Sequence, residues 1–214
     1  MAGKPPPTVP INSKIQAVVS QTRQQRNHLM PTFDLQHLYN KAWLFASHAH
    51  VGQTMTSSDL PYTTHVAMVA NELIFAHREE PVGAFEIALP AALLHDVVED
   101  TDVTTAQLAE AFGAEVASTV ACLSKNLIVP FSEERYFQGI AEHSREAAAV
   151  KLCDRITNLQ SAPAKWTHAK RASYLVESEQ ILKALGHANG YLRQRLSDTM
   201  VRYQALYMDG FEAV

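Results

Sequence analysis

Apolar residues in this chain recur three and four positions apart, and no period-2 alternation bounded by turn signals follows Ile11. Spacing of three and four places side chains on one face of an α-helix, whereas a half-buried strand needs alternation. The helical spacing recurs in three stretches: Leu35, Leu38, Ala42, Phe45 and Ala46; Val66, Val69, Ala70, Leu73 and Ile74; Leu175, Ile181, Leu182 and Leu185. The sequence therefore predicts an all-α fold with eight to ten helices.

Local signals place helix ends in the first half of the chain. Pro61 suits the first turn of a helix over residues 62–76, because that turn does not need the amide hydrogen that proline lacks. Thr104 and Gln107 have the spacing of a capping box. Gly113 can end the short helix that follows, because glycine adopts a positive φ without strain.

Similar signals organise the second half. Ser144 can cap a helix that runs to residue 159. Pro163 then breaks the chain before a helix over residues 166–185. No internal repeat or linker is found, so one domain over residues 11–214 is expected. Residues 1–10 hold four of the ten prolines and are expected to form an extended or flexible tail.

Charge and composition exclude several classes of protein. The chain has 214 residues, 47% of them hydrophobic, and a net charge of -4. This composition is that of a globular protein, and the charge gives no field for holding duplex DNA. The most apolar window, residues 84–94, is far shorter than the ~20 residues of a membrane span. Two cysteines and no signal-peptide pattern predict a cytoplasmic protein.

The segment AALLHDVVEDT, residues 91–101, concentrates four polar groups among aliphatic residues. On one continuous helix, His95 and Glu99 share a face, as do Asp96 and Asp100. Three carboxylates beside an imidazole are costly near a core, and a divalent cation removes that cost. The alternative is a solvated helix face, which the aliphatic flanks disfavour.

Two further ligand candidates lie on other predicted helices. His65 precedes His95 by 30 residues, and Asp154 follows Asp96 by 58 residues. Taken alone, His65 is better read as a hydrogen-bonded core histidine. Asp154 with Lys151 is equally consistent with an ordinary intrahelical ion pair. Spacing alone leaves open whether these three segments meet.

The order His65, His95-Asp96 and Asp154 resembles the H…HD…D pattern of HD-domain metal-dependent phosphohydrolases. A narrower similarity covers residues 38–196. The segments PYTTHVAMVANEL, AALLHDVVEDTDVTTAQLAEAFGAEVA and KLCDRITNL resemble the hydrolase domain of the RelA/SpoT family, in particular the stand-alone small alarmone hydrolases of the metazoan SpoT-homologue type. HD alone is a weak signal, whereas HDVVEDT followed by KLCDRITNL is specific to that family.

This resemblance implies an HD-domain helical bundle that binds Mn²⁺ and removes pyrophosphate from the 3′ position of guanosine tetra- or pentaphosphate. The implied metal ligands are His65, His95, Asp96 and Asp154. The acidic pair implied to position and deprotonate the attacking water is Glu99 and Asp100. Side chains expected to face the substrate's phosphates or ribose are Lys151, Arg155 and Asn158, with Tyr62, Lys125 and Tyr174 as weaker candidates.

The chain departs from the family after its H-x-G-Q element, which is His50, Gly52 and Gln53. Alarmone hydrolases usually carry basic residues there, one of which is expected to stack on guanine. This chain has Thr54, Met55 and Thr56 instead. Two explanations stay open. A basic group from elsewhere, such as His48 or His50, covers the site, or the base preference has changed toward an adenosine alarmone or another 3′-pyrophosphorylated nucleotide.

The expected partner is a small phosphorylated nucleotide, with no nucleic acid and no membrane, and the choice between a monomer and a homodimer stays open. With no room for a synthetase region, we expect a hydrolase only. Two alternatives differ in class. One is an HD phosphatase acting on 5′-nucleotides or deoxynucleoside triphosphates, which HDVVEDT and KLCDRITNL disfavour. The other is a non-catalytic alarmone-binding module, which the presence of every implied ligand and both acids disfavours.

Overall fold

The computed structural model describes residues 34–209, which form ten α-helices, one 3-10 turn and no β-strand. The helices are α1 Leu35–Ala49, α2 Thr63–Glu79, α3 Phe85–Leu94, α4 Val97–Asp100, α5 Thr105–Phe112, α6 Ala114–Leu123, α7 Glu133–His143, α8 Arg145–Asn158, α9 His168–Leu185 and α10 Gly190–Tyr207. The 3-10 turn, Lys125–Leu127, lies between α6 and α7. The all-α prediction is confirmed, and the expected tail over residues 1–10 lies outside the described residues.

The predicted caps of α5 and α8 are present. Thr104 Oγ1 accepts from the Gln107 amide at 3.3 Å, and Gln107 Oε1 accepts from the Thr104 amide at 2.9 Å. Ser144 Oγ accepts from the Ala147 amide at 3.1 Å. Gly113, between α5 and α6, has a φ of 93°. The caps satisfy amides that the first turn of a helix leaves without a backbone partner.

Two predicted helix starts are shifted. Pro61 forms an isolated bridge with Thr54, so it lies before α2 rather than in its first turn, and α2 begins at Thr63. The predicted start of α9 at residue 166 is two residues early, because the side chain of Thr167 caps that helix.

The segment 91–101, expected to form one helix, is two. α3 ends before His95 and α4 begins after Asp96, so the expectation of a continuous helix is wrong. In a continuous helix the Ala92 carbonyl accepts from the amide of the residue four positions later. Here it contacts Nδ1 of His95 at 2.8 Å. His95 keeps helical dihedral angles, and the departure from a regular helix is at Asp96, with a φ of -102° and a ψ of -4°.

The central helix of the fold is α8, which packs against α2, α3, α6, α7, α9 and α10. Every residue from Ala147 to Thr157 is buried. Burying an aliphatic side chain such as Leu152 or Ile156 contributes roughly 1.5–3 kcal/mol. Packing of this kind offsets the cost of carrying the charged residues of α8 into the interior, where they are held in fixed positions.

No helix within residues 34–209 combines the length and the apolar character needed to cross a membrane. Both cysteines are free, Cys153 being buried and Cys122 half-buried. Burial raises the pKa of both thiols, that of Cys122 to about 12. Both therefore stay protonated and pack as small apolar groups.

Candidate active site

One cavity of about 200 Å³ collects the residues that the sequence singles out. All of the predicted site residues line it: Tyr62, His65, His95, Asp96, Glu99, Asp100, Lys125, Lys151, Asp154, Arg155, Asn158 and Tyr174. The other lining residues are Leu123, Val150 and Glu177. The structure thus brings the predicted residues together, while the role of each stays a prediction.

The four implied metal ligands come from three segments of the chain. His65 lies in the first turn of α2, His95 and Asp96 at the break between α3 and α4, and Asp154 in α8. His65 Nε2 is 3.3 Å from His95 Nε2 and 3.4 Å from Asp154 Oδ1. Asp96 Oδ2 is 2.9 Å from His95 Nε2 and 3.6 Å from His65 Nε2. One donor atom each from His65, His95 and Asp154 lies within 4.8 Å of the other two.

These spacings fit one octahedral cation. Donor atoms ~2.1 Å from a common ion lie about 3.0 Å apart when adjacent and about 4.2 Å apart when opposite. The measured distances between donor atoms run from 2.9 to 3.9 Å. Imidazole and carboxylate together also suit first-row divalent ions. Both the spacing and the chemistry of these residues therefore fit metal binding.

A backbone contact decides which nitrogen of His95 faces the other donors. Its Nδ1 donates to the Ala92 carbonyl, so Nε2 is directed at Asp96. Burial works against protonation of Nε2, but the Asp96 carboxylate outweighs it and raises the pKa of His95 to about 9. His95 in turn holds the pKa of Asp96 below its ordinary value in spite of burial. A metal ion that binds here displaces the proton on Nε2.

Asp154 is fixed by residues one turn away on α8. Lys151 Nζ donates to Oδ2 at 2.8 Å, and Asn158 Nδ2 donates to Oδ1 at 2.5 Å. Burial disfavours the carboxylate, but Lys151 holds the pKa of Asp154 well below its ordinary value. Burial also disfavours the ammonium, and Asp154 more than reverses this by raising the pKa of Lys151. Both groups are therefore charged at neutral pH.

The two acids at the end of α4 differ in their surroundings. Glu99 Oε2 accepts from the backbone amide of Lys125 at 2.9 Å, which orients its carboxylate. Burial, together with the negative charges of Asp96 and Glu99, raises the pKa of Asp100 to about 6. A carboxylate with a pKa close to neutral is suited to taking up and releasing a proton.

Comparison with known proteins places this site in a family. The chain matches the HD domain family over residues 42–192. The Danio rerio protein named guanosine-3′,5′-bis(diphosphate) 3′-pyrophosphohydrolase MESH1 is 34% identical over 159 residues, which cover 71% of this chain and 86% of that protein. This chain belongs to the HD-domain pyrophosphohydrolase family. The match to the bifunctional (p)ppGpp synthase/hydrolase SpoT of Escherichia coli K12 is 30% identical and covers 81% of this chain but 25% of SpoT.

A solved structure supports the same placement of this HD-domain chain. It is described as a metazoan ortholog of SpoT that hydrolyses ppGpp, and it superposes with a TM-score of 0.67 at 27% sequence identity. The match covers 82% of this chain and 100% of the other. The HD-domain fold predicted from the sequence motifs is therefore confirmed.

The loop before α2 ties His50 to the site of this HD-domain protein. Gln53 Nε2 donates to the Asp100 carbonyl at 2.8 Å, which leaves Gln53 Oε1 to accept from His50 Nδ1 at 2.8 Å. Burial lowers the pKa of His50, so its imidazole is neutral at neutral pH. This disfavours His50 as the basic group in the first of the two open explanations. Tyr62, which follows the loop, donates its hydroxyl to Asp96.

Glu177 also lines the cavity and was not predicted from the sequence. Its carboxylate lies 2.8 Å from the guanidinium of Arg155 and 3.4 Å from the ammonium of Lys125. A signal was present, because Glu177 follows Tyr174 by three positions on a predicted helix and so shares its face.

A second cavity of about 200 Å³ adjoins the first and was also not predicted. The two share Tyr62, His65, Asn158 and Tyr174. The remaining lining residues of the second cavity are Met55, Thr56, Thr157, Ser161, Pro163 and Trp166. Trp166 lies in a loop between helices, where apolar periodicity gives no information on which side chains meet.

Proposed function

We propose that this HD-domain protein removes pyrophosphate from the 3′ position of an alarmone nucleotide, a guanosine or adenosine tetra- or pentaphosphate, with Mn²⁺ as its metal ion. The observation that carries the proposal is the convergence of the four implied ligands and the acidic pair on one cavity. Within it, donor atoms of His65, His95 and Asp154 lie within 4.8 Å of one another. Relatives named 3′-pyrophosphohydrolases support the reaction. The mixed nitrogen and oxygen donors are compatible with a first-row divalent ion, and the resemblance to alarmone hydrolases is the reason for choosing Mn²⁺ among these ions.

In this proposal the acidic pair handles the attacking water. Asp100 accepts a proton from the water, because its pKa of about 6 leaves it ionised at neutral pH yet still basic. Glu99 orients the same water with a carboxylate that the Lys125 amide holds in place. Water attacks the phosphorus atom that is bonded to the 3′-oxygen. The bond between that phosphorus and the 3′-oxygen breaks, the 3′-oxygen takes up a proton, and the products are pyrophosphate and a nucleoside 5′-di- or triphosphate with a free 3′-hydroxyl.

The substrate's negative charge needs compensation. When bound, the metal ion supplies positive charge that acidifies a water molecule and neutralises charge developing on phosphorus. The chain adds three cations to the lining of the cavity: Lys125, Lys151 and Arg155. Hydrogen bonds between such cations and phosphate oxygens are about twice as strong as neutral ones, and a bound metal ion together with these cations would offset the five carboxylates of the same lining.

The second cavity is the proposed site of the base. Its lining contains no Asp, Glu, Lys or Arg side chain. Trp166 offers a flat aromatic face and Met55 a polarizable sulfur, which suit either purine. Thr157 Oγ1 is buried there without a hydrogen-bond partner among the described residues. We therefore propose that the base is held by stacking and by neutral hydrogen bonds, and that adenine is accepted as well as guanine.

An assay with paired substrates tests the proposal. The purified protein with Mn²⁺ is incubated separately with ppGpp and ppApp, and pyrophosphate is measured. Release of pyrophosphate from both is expected, and cleavage of ppGpp alone would reject the neutral base site. Absence of pyrophosphate from both, with bound manganese verified by elemental analysis, would reject the function. In that case tight binding without turnover would indicate the alarmone sensor, and orthophosphate or triphosphate release from 5′-nucleotides or deoxynucleoside triphosphates would indicate the other HD phosphatase.

A further inference from the structure

We propose that Glu177 is a positioning residue that holds the ammonium group of Lys125 at the cavity. In that position the ammonium group binds the substrate's 3′-pyrophosphate. Arg155 anchors Glu177 through an ion pair. This inference rests on the proposed function, because it assigns a role within the same site. Neither the sequence motifs nor the implied ligand set includes Glu177.

The contacts connect three charged side chains in a row. Oε1 of Glu177 is 2.8 Å from an Arg155 guanidinium nitrogen and 3.4 Å from Lys125 Nζ. All three side chains line the cavity that holds the implied metal ligands. A single carboxylate oxygen therefore bridges a cation on α8 to a cation on the 3-10 turn.

The exposed fractions of the three side chains show which end of this row is fixed. The side chain of Arg155 is 3% exposed, that of Glu177 is 19% exposed and that of Lys125 is 35% exposed. The Arg155 guanidinium also stacks 3.9 Å from the centre of the Tyr174 ring. Arg155 is thus held on its other side and anchors Glu177. Lys125 is the most accessible of the three side chains to a ligand.

The other lysine of the cavity is already engaged. Lys151 donates to Asp154 at 2.8 Å, so its charge is used in holding an implied metal ligand. The backbone amide of Lys125 meanwhile binds Glu99 at 2.9 Å. Lys125 is therefore adjacent to the proposed reacting groups, and the position of its ammonium determines whether it meets the pyrophosphate.

The opposite role for Glu177 makes an opposite prediction. A carboxylate that only neutralises Arg155 and Lys125 would compete with phosphate for these cations, so its removal would tighten the binding of pyrophosphate. A carboxylate that positions Lys125 would weaken binding when removed. The sign of the change in affinity separates the two roles.

The test compares E177Q with E179Q, a matched control that loses the same charge from an exposed position on the same helix. For E177Q we expect the Kd of inorganic pyrophosphate for the Mn²⁺-loaded protein and the KM for ppGpp to rise about tenfold, equivalent to about 1.4 kcal/mol, with a smaller change in kcat. E179Q is expected to match the wild type. An unchanged or lower Kd in E177Q would overturn the proposal.

Two further variants keep the test decisive if E177Q loses its cooperative thermal transition. K125Q is expected to show the same tenfold rise in Kd. E177D, which keeps a carboxylate for Arg155, is expected to show a smaller rise.

The double variant K125Q/E177Q should have the same Kd as K125Q alone, because both changes remove the same interaction. An unchanged Kd in K125Q or additive losses would overturn the positioning role. A wild type that binds pyrophosphate but cleaves neither alarmone would reject the proposed function and leave this result interpretable.

Discussion

At the scale of single residues, Asp100 is the group whose environment fits proton transfer, and D100N removes its basicity while keeping its size. We expect kcat to fall by about 10²- to 10⁴-fold, the usual contribution of a general base. Manganese content should be unchanged, because Asp100 is not one of the four implied metal ligands. D102N, an exposed change two residues later, is the control and should be fully active. Wild-type kcat in D100N would contradict the assignment.

The pKa of Asp100 also predicts a pH profile. A base must be deprotonated to act, so kcat/KM should fall tenfold per pH unit as the pH drops below its pKa. That pKa is about 6 in the protein alone, and a nearby divalent cation favours the ionised form and lowers it. When kcat/KM is measured from pH 4.5 to 8, the apparent pKa of its acidic limb is therefore expected at or below about 6. A limb near pH 7 would indicate a different base.

Single-residue prediction from the sequence worked where a residue's chemistry is unusual for its surroundings. His95, Asp96 and Asp154 stand out because acids and imidazoles are rare among aliphatic residues. Glu177 and Trp166 do not stand out in the same way, because an acid on a helix and an aromatic residue in a loop are common. Their significance comes from what lies opposite them in space.

At the scale of elements, the break between α3 and α4 changes the explanation of the HD pair. Helical periodicity predicted shared faces for His95 and Glu99, yet the helix stops between them. The side chain of His95 donates a hydrogen bond to the backbone carbonyl of Ala92. The spacing of apolar residues cannot predict such a contact. All four polar residues of the segment line one cavity, as expected, whereas the single continuous helix expected to hold them is wrong.

The capping box of α5 gives a prediction about stability alone. T104A removes the side-chain acceptor for the Gln107 amide, so the free energy of unfolding should fall by about 1 kcal/mol. Thr104 is not among the residues that line the cavity, so kcat should stay the same. Denaturant unfolding checks the first expectation and the pyrophosphate assay the second. T104S keeps the hydroxyl and should restore most of the stability, and an unaltered unfolding midpoint in T104A would show that the cap contributes nothing.

At the scale of the whole molecule, the fold class followed from apolar spacing, but the meeting of α2, α8 and the α3–α4 break did not. Periodicity shows which face of a helix is buried and leaves its partner unspecified. The resemblance of three motifs to one family supplied that missing step. Burial of every residue in the middle of α8 gives the physical reason, because a central helix contacts several others at once.

A metal held by three distant segments should stabilise the whole domain. A ligand at 100 times its Kd stabilises the native state by about 2.7 kcal/mol, which for a domain of this size raises Tm by roughly 5–10 °C. We expect this shift when Mn²⁺ is added to chelator-treated protein, measured by calorimetry. H95A should show no shift, whereas H187A, at an exposed position, should behave as the wild type. An equal shift in H95A would exclude His95 as a ligand.

The distance along the chain between His65 and Glu177 also has a consequence for biosynthesis. As a nascent polypeptide leaves the ribosome, the first imidazole emerges long before the α8 aspartate, and α9 follows later still. A prematurely terminated product that stops before α8 would contain the HD pair and lack the carboxylate across from it. Under the proposed function, hydrolysis therefore requires a translation product that extends through α8 and α9, and shorter fragments cannot supply it.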